Sequence, residues 1–268
     1  MKKMGLTLLL ILLGLVAYIK YVEISTVFVP AKTILTNPSK ILLPYEDVYF
    51  HSGRDRLHGW MIPAPPESGS SLTVLFLHGN AGNIGDRLDK IAMFHQLGAA
   101  VFVFDYRGYG ISEGRPSEKG LYEDAAAAFD YLAGRPDADP ERIVVYGESL
   151  GGAAGVDLAL RRPLRALIID STFTNAADMA RRILPWAPTF LISAKFDSLA
   201  KIQKVRVPVL VVHSRDDEMV PFEMGQRMFA AAPEPKTWLE VTGTHNDAYL
   251  FARKIFMSGI GAFLEKNR

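Results

Sequence analysis

The sequence predicts an α/β fold in which a mostly parallel sheet, entered through an antiparallel hairpin, carries helices on both faces. Three observations lead there. Apolar runs at residues 72–77, 100–104, 143–146, 166–169, 209–212 and 237–241 are continuous rather than alternating, the pattern of strands buried on both sides. Segments of helical period separate them, which is how parallel strands are joined. Midway, Val144-Val145-Tyr146-Gly147-Glu148-Ser149-Leu150-Gly151-Gly152 takes a β-branched run to a glycine, presents one serine and restarts as an alanine-rich helical pattern over 150–160. A GxSxG string between strand and helix is a nucleophile elbow: the glycines lack the Cβ atoms that would collide in so sharp a bend, and the serine hydroxyl is left in the open.

Taken in order, the chain opens with Lys2 and Lys3 and an uncharged run over 4–19. That run spans about 24 Å as helix, short of a hydrocarbon core of roughly 30 Å. Continuing through Tyr21 and Val22 with Lys20 snorkelling narrows the gap, so residues 1–28 read as a single-pass transmembrane anchor. A cleaved signal segment is the rival reading, although Leu15-Val16-Ala17 fits an A-x-A site poorly. The lysines ahead of the run lean toward a cytoplasmic amino terminus and a catalytic domain on the other side, with the bilayer as a partner. Residues 29–44, with Pro30, Pro38 and Pro44, read as a linker, and 45–268 as the globular domain.

Within that domain, alternating runs at 45–51 and 57–62 flank Ser52-Gly53-Arg54-Asp55, a hairpin signal. A Pro/Gly/Ser-rich break follows at 64–71. Helices are expected at 87–97, 122–133, 222–231 and 248–266, the last burying Leu250, Phe251, Ile255, Phe256, Ile260, Phe263 and Leu264. Residues 171–206 break the strand–helix rhythm and read as a cap over the carboxyl edge of the sheet, where ligands bind in open α/β sheets. An ordinary helical crossover is the alternative.

Composition narrows the function classes. The 268 residues are 49% hydrophobic and 22% charged, enough for one domain with a sizeable core. A net charge of +1 without a basic stripe gives no reason to propose nucleic acid. With no cysteine there is no disulfide, thiolate metal site or cysteine nucleophile. No metal and no cofactor is expected.

Ser149 needs a histidine to take its proton and a carboxylate to orient that histidine, and after an elbow these follow in the order acid, then histidine. Of six histidines, His51, His58 and His95 lie upstream in the hairpin and a helix, and His78 and His213 end strands, where a structural hydrogen bond suffices. His245 alone follows the acid loop, so it is the candidate general base. Asp216 and Asp217 compete as its partner, with Asp217 favoured, and Asp247 reads as a helix cap. The Leu150 amide and the helix behind it face any developing oxyanion. Asn80, in Leu77-His78-Gly79-Asn80-Ala81-Gly82-Asn83, is the candidate second donor through its backbone N–H; a phosphate loop there lacks the GKS or GKT ending.

These stretches, with Asp105 to Gly110, Ser112-Glu113-Gly114 and His245-Asn246-Asp247, resemble the amino-terminally anchored serine α/β-hydrolases of the bud-emergence-protein type, a group similar to the protein depalmitoylases. The likeness runs from about Pro44 to the carboxyl end. It implies an α/β-hydrolase fold and a triad of Ser149, Asp217 and His245. Ser214, where the pattern has glycine, is its one departure. Hydrolysis of an acyl ester or thioester, membrane-resident substrates included, is the first functional expectation. A serine peptidase and a non-catalytic hydrolase-fold binding protein are the alternatives. Met179, Leu184, Trp186 and Phe190 in the cap are candidates to line an acyl slot.

Overall fold

The computed structural model describes residues 2–69 and 72–268, so the end of the 64–71 break lies outside the described residues. Helix α1 (Lys2–Val27) leads into strand β1 (Val29–Pro30), then the hairpin β2 (Glu46–Ser52) and β3 (Asp55–Ile62). Next come β4 (Thr73–Leu77), β5 (Ala81–Gly82), α2 (Leu88–Gln96), β6 (Ala100–Phe104), α3 (Glu118–Ala133), β7 (Ile143–Glu148) and α4 (Leu150–Ala159). The chain continues through β8 (Ala166–Asp170), α5 (Ala176–Ile183), α6 (Ser198–Ile202), β9 (Val209–Ser214), α7 (Phe222–Ala231), β10 (Lys236–Val241), α8 (Ala248–Phe251) and α9 (Arg253–Lys266).

Eight strands form one sheet in the order β10-β9-β8-β7-β4-β6-β3-β2. Pairing is parallel from β10 to β6 and antiparallel at β3 and β2. This is the α/β-hydrolase fold, as expected. The continuous apolar runs sort by parity: in β4, Leu75 and Leu77 face one layer while Val74 and Phe76 face the other, and in β7 Val145 opposes Val144 and Tyr146. One layer is closed by α3, α4, α6 and α7, the second by α2 and α9. Each such fully buried side chain contributes about 1.5–3 kcal/mol, so the sheet holds β7, and the elbow at its end, between β4 and β8.

The observed helices move some expected bounds. α3 begins four residues before the expected start, where the Ser117 hydroxyl accepts the Gly120 N–H at 3.0 Å as an N-cap. The last helix is broken at Ala252. Of its expected core residues, Phe256, Ile260, Phe263 and Leu264 of α9 are buried, whereas Leu250 and Phe251 of α8 and Ile255 in the first turn of α9 are exposed.

Two findings concern the amino terminus. No helix among the described residues is long and apolar enough to cross a membrane. This overturns the expected single-pass transmembrane anchor and the membrane localisation that rested on it, and leaves the bilayer as partner without support. The run that would need extending past residue 19 is instead engaged by protein: Ile19 is fully buried, and the Lys20 ammonium, expected to snorkel, bonds Glu23, Ser193 and the Leu191 carbonyl. Residues 29–44 lie along the domain. β1 pairs in parallel with β5, and the Asn83 side-chain amide donates to the carbonyls of Ala31 and Thr33 at 3.2 and 2.9 Å.

Candidate active site

β7 ends at Glu148 and α4 begins at Leu150, so the chain reverses in the single residue Ser149, at φ 51° and ψ −111°. A non-glycine residue in so sparse a region stores on the order of 1–3 kcal/mol and persists only where its surroundings over-determine it. Here they do. The Ser149 N–H donates to the Asp170 carbonyl at 2.8 Å. A Cβ on Gly147 would overlap the Gly151 carbonyl, and one on Gly151 the Leu77 carbonyl, so only glycine permits the close approach.

The loops after β9 and β10 bring two more residues to this point. The His245 Nε2 lies 3.2 Å from the Ser149 Oγ, and its Nδ1 lies 2.7 Å from the Asp217 Oδ2. The other oxygen of Asp217 accepts the N–H groups of Met219 and Val220 at 2.9 and 2.7 Å, which fixes the carboxylate plane. Asp216 points elsewhere: it accepts the Gly243 N–H at 3.3 Å. Glu218 accepts the His245 N–H at 3.0 Å, and the Ser214 hydroxyl reaches the Gly243 carbonyl, so the acid loop and the histidine loop are tied at three points besides the Asp217–His245 pair. Ser214, the one departure from the motif pattern, is one of those ties. Asp247 stands before α8, but its carboxylate binds the Thr244 N–H rather than the helix.

The charge states follow from these contacts. Burial pushes the Asp217 carboxyl up, but the bond from His245 and the amides outweigh it and hold it below the usual carboxylate range. Burial pulls His245 down, while the Asp217 bond and the carboxylates of Asp217, Glu148 and Asp170 together raise it above an ordinary histidine. His78 is fully buried and held neutral by burial, its pKa lowered to about 3, with Nδ1 bonded to the Gly79 carbonyl. His213 bonds the Val220 carbonyl at 2.9 Å. Both have structural partners.

Asn80 and Leu150, the two expected oxyanion donors, line the same cavity as Ser149. Leu150 is the first residue of a ten-residue helix, so its N–H has no intrahelical acceptor and sits at the positive end of the dipole. The Asn80 backbone is held from three sides: its carbonyl accepts the Val29 N–H at 3.0 Å and the Tyr109 hydroxyl at 2.7 Å, and its side chain donates to the Thr26 carbonyl at 2.9 Å. Among the described residues neither the Asn80 nor the Leu150 N–H has an acceptor.

Under the elbow lies a group that sequence reading missed. Buried Lys90 of α2 bonds Glu148 at 3.1 Å and Asp170 at 3.3 Å, and the Tyr146 hydroxyl donates to Asp170 at 2.5 Å. Burial raises the Glu148 carboxyl, but Lys90 outweighs it and brings it down to about 2. The available signal was a lysine beside Ile91 and Phe94 on the apolar face of an expected helix.

A cavity of about 460 Å³ opens at Ser149 and His245. Met179 and Leu184 line it, with Phe173, Phe196 and residues of α1. Trp186 and Phe190 do not: Trp186 stacks on Tyr18 with ring centroids 6.4 Å apart, and Phe190 is 84% exposed. A smaller, more polar recess of about 250 Å³ also borders Ser149 and is lined by Arg87, Glu148 and Asn246.

The family model described as serine aminopeptidase, S33, matches residues 70–200. An uncharacterised protein of Mycobacterium tuberculosis strain H37Rv is 38% identical over 254 residues, 94% of this chain and 90% of that protein. The α/β-hydrolase domain-containing protein WAV2 of Arabidopsis thaliana is 38% identical over 258 residues, 88% of this chain and 83% of that one. The chain belongs to the α/β-hydrolase family. An esterase of Pyrococcus furiosus superposes on this hydrolase with a TM-score of 0.74 at 22% identity, covering 89% of this chain and 98% of the other, a likeness of fold. The α/β-hydrolase GrgF of a Penicillium species does so at 0.69 and 18% identity, covering 84% and 99%.

Proposed function

We propose that this α/β-hydrolase cleaves acyl esters or thioesters through an acyl-enzyme, with Ser149 as nucleophile, His245 as general base and Asp217 as its orienting carboxylate. The observation that carries the reading is the unbroken chain of contacts from Asp217 through His245 to a strained, open serine at the mouth of an apolar cavity. The Ser149 Oγ attacks the carbonyl carbon while its proton passes to the His245 Nε2. Charge gathers on the former carbonyl oxygen, which the Asn80 and Leu150 N–H groups stabilise. Collapse expels the alkoxide or thiolate, which takes the proton from His245. Water then attacks the acyl-serine with His245 again as base, the acid leaves, and the proton returns to Ser149.

A peptidase reading fits less well. Recognition of a substrate amino terminus needs a free carboxylate near Ser149, and in the larger cavity the carboxylate among the described lining residues, Glu23, is taken up by Lys20 and the amides of Ser193 and Ala194. The resemblance of its motifs to those of protein depalmitoylases makes thioesters a class to try beside oxygen esters.

The test is labelling with a fluorophosphonate probe alongside turnover of p-nitrophenyl esters and acyl thioesters. Ser149→Ala should lose labelling altogether and turnover by on the order of 10⁶-fold, with an unchanged melting profile. Labelling or full turnover in that variant would end the serine-hydrolase reading.

A further inference from the structure

The apolar cavity has two walls of different origin. One is the cap and the strand ends behind it; the opposite one belongs to the amino-terminal segment, where Ile19, Val22, Thr26, Val27 and Val29 all line the space that ends at Ser149 and His245. This wall is fixed by polar contacts along its length. The Glu23 carboxylate accepts the N–H groups of Ser193 and Ala194 at 2.7 Å each and holds Lys20 at 2.9 Å, clipping α1 to the cap. Tyr18 stacks on Trp186 on the outer side. At the inner end the Thr26 carbonyl and the Val29 N–H both bind Asn80, so the segment that walls the cavity also grips the proposed oxyanion donor.

We propose that residues 19–29 form the outer wall of an acyl-chain site, and that this site takes an ester or thioester of an uncharged hydrocarbon chain several methylenes longer than acetyl. The proposal rests on the serine-hydrolase reading above. Its warrant is the chemistry of the space. A volume of about 460 Å³ lies within the usual range of small-molecule pockets, far more than a two-carbon acyl group fills. Its lining is aliphatic and aromatic apart from the groups at Ser149 and a few small hydroxyls, and its one lining carboxylate among the described residues is already fully bonded. Such a space rewards buried methylenes and penalises a charged or strongly hydrated acyl group. Because Val22 faces the cavity from a helix tied on at Glu23, the wall's side chains set the usable length, as small changes of volume do in an apolar specificity pocket.

The experiment reads chain-length preference in the full chain, as the ratio of kcat/KM for p-nitrophenyl decanoate to that for p-nitrophenyl acetate. Val22→Trp, which fills the cavity from α1, should lower the ratio by at least about tenfold; Val22→Ala, which enlarges it, should raise it. Glu23→Ala, which opens the clip, should raise the KM for decanoate several-fold, and Glu23→Gln, which keeps an acceptor for Ser193 and Ala194, should recover part of that loss. Tyr21→Ala, exposed on the same helix and outside the cavity, should keep the wild-type ratio. Melting curves identify any variant that fails to fold, and the two Val22 changes, opposite in size, keep the test open if one does. A wild-type ratio in both Val22 variants and Glu23→Ala, with Ser149 still labelled by the fluorophosphonate, overturns the wall and leaves the hydrolase reading standing. A wild-type protein that is not labelled and turns over neither ester overturns both.

Discussion

Below Ser149, backbone meets backbone with no room for a methyl group at Gly147 or Gly151, and a buried lysine sits between two carboxylates. Above it, α1 and the 171–206 segment meet through the stacked Tyr18–Trp186 pair, the bonds of Glu23 to the Ser193 and Ala194 amides and half-buried aliphatic side chains. The floor is therefore specified by sterics with a single solution, whereas the roof is an assembly of segments far apart in the chain, held by contacts individually worth little where solvent reaches them. Chemistry belongs on the rigid side, because a nucleophile displaced by 1 Å loses its alignment. Selection of the acyl chain can be left to the adjustable side.

The sharpest way to break this contrast is at the acid loop, which spans both. Asp217→Asn should lower kcat by about 10⁴-fold, since the amide cannot hold His245 in the tautomer that accepts the Ser149 proton. Asp216→Asn should cost far less, because its neighbour on that loop keeps the carboxylate that touches His245, and only the tie to the Gly243 N–H is weakened. Steady-state kinetics on one soluble ester ranks the two, and the reverse order would move the orienting role to Asp216.

The next effect in size tests the place where roof touches floor. Asn80→Pro deletes the proposed oxyanion donor and should reduce kcat by roughly 100- to 1000-fold, whereas Asn80→Ala keeps the N–H and loses only the side-chain bond to the Thr26 carbonyl. The alanine variant should therefore show a much smaller drop. Equal losses in two folded proteins would mean that the donor lies elsewhere, or that the grip of the amino-terminal segment matters more than the amide.

Legibility in the sequence follows the same division. Gly147, Ser149 and Gly151 were readable because local sterics dictate the residue types, and the strand runs were readable because burial on both faces leaves only apolar choices. Chain order, which the fold imposes on loops following β9 and β10, pointed to His245 and to the Asp216–Asp217 pair, of which the structure brings Asp217 to His245. Other features lacked any local signature. Parallel pairing of β1 with β5 joins two-residue strands 52 positions apart by their register of Val29 with Ala81, and no periodicity reveals a pairing that short. The uncharged run in α1 carries the composition of a membrane segment, yet part of its apolar surface faces a cavity and a cap, a distinction that hydropathy does not make. Trp186 and Phe190 were placed in the acyl slot by residue type, but the side a cap residue faces depends on tertiary packing, and Trp186 found Tyr18 instead.

The smallest expected effect probes the floor by its charge. Lys90, Glu148 and Asp170 together carry one net negative charge beneath the elbow, and both carboxylates contribute, after the Asp217 bond and charge, to raising His245 against the opposing pull of burial. The base must be neutral to accept the Ser149 proton, so the rising limb of kcat/KM against pH should lie above the ordinary histidine value of about 6.5. Glu148→Gln removes one of those carboxylate charges while keeping the side chain's shape. The imidazolium is then less favoured, His245 titrates lower, and the rising limb should move to lower pH with the plateau rate little changed. A merely structural role for Glu148 would show instead as a lowered plateau or melting temperature with the limb in place. A shift to higher pH would contradict the sign of the interaction, because the lost carboxylate and a Lys90 ammonium freed from it both disfavour the imidazolium.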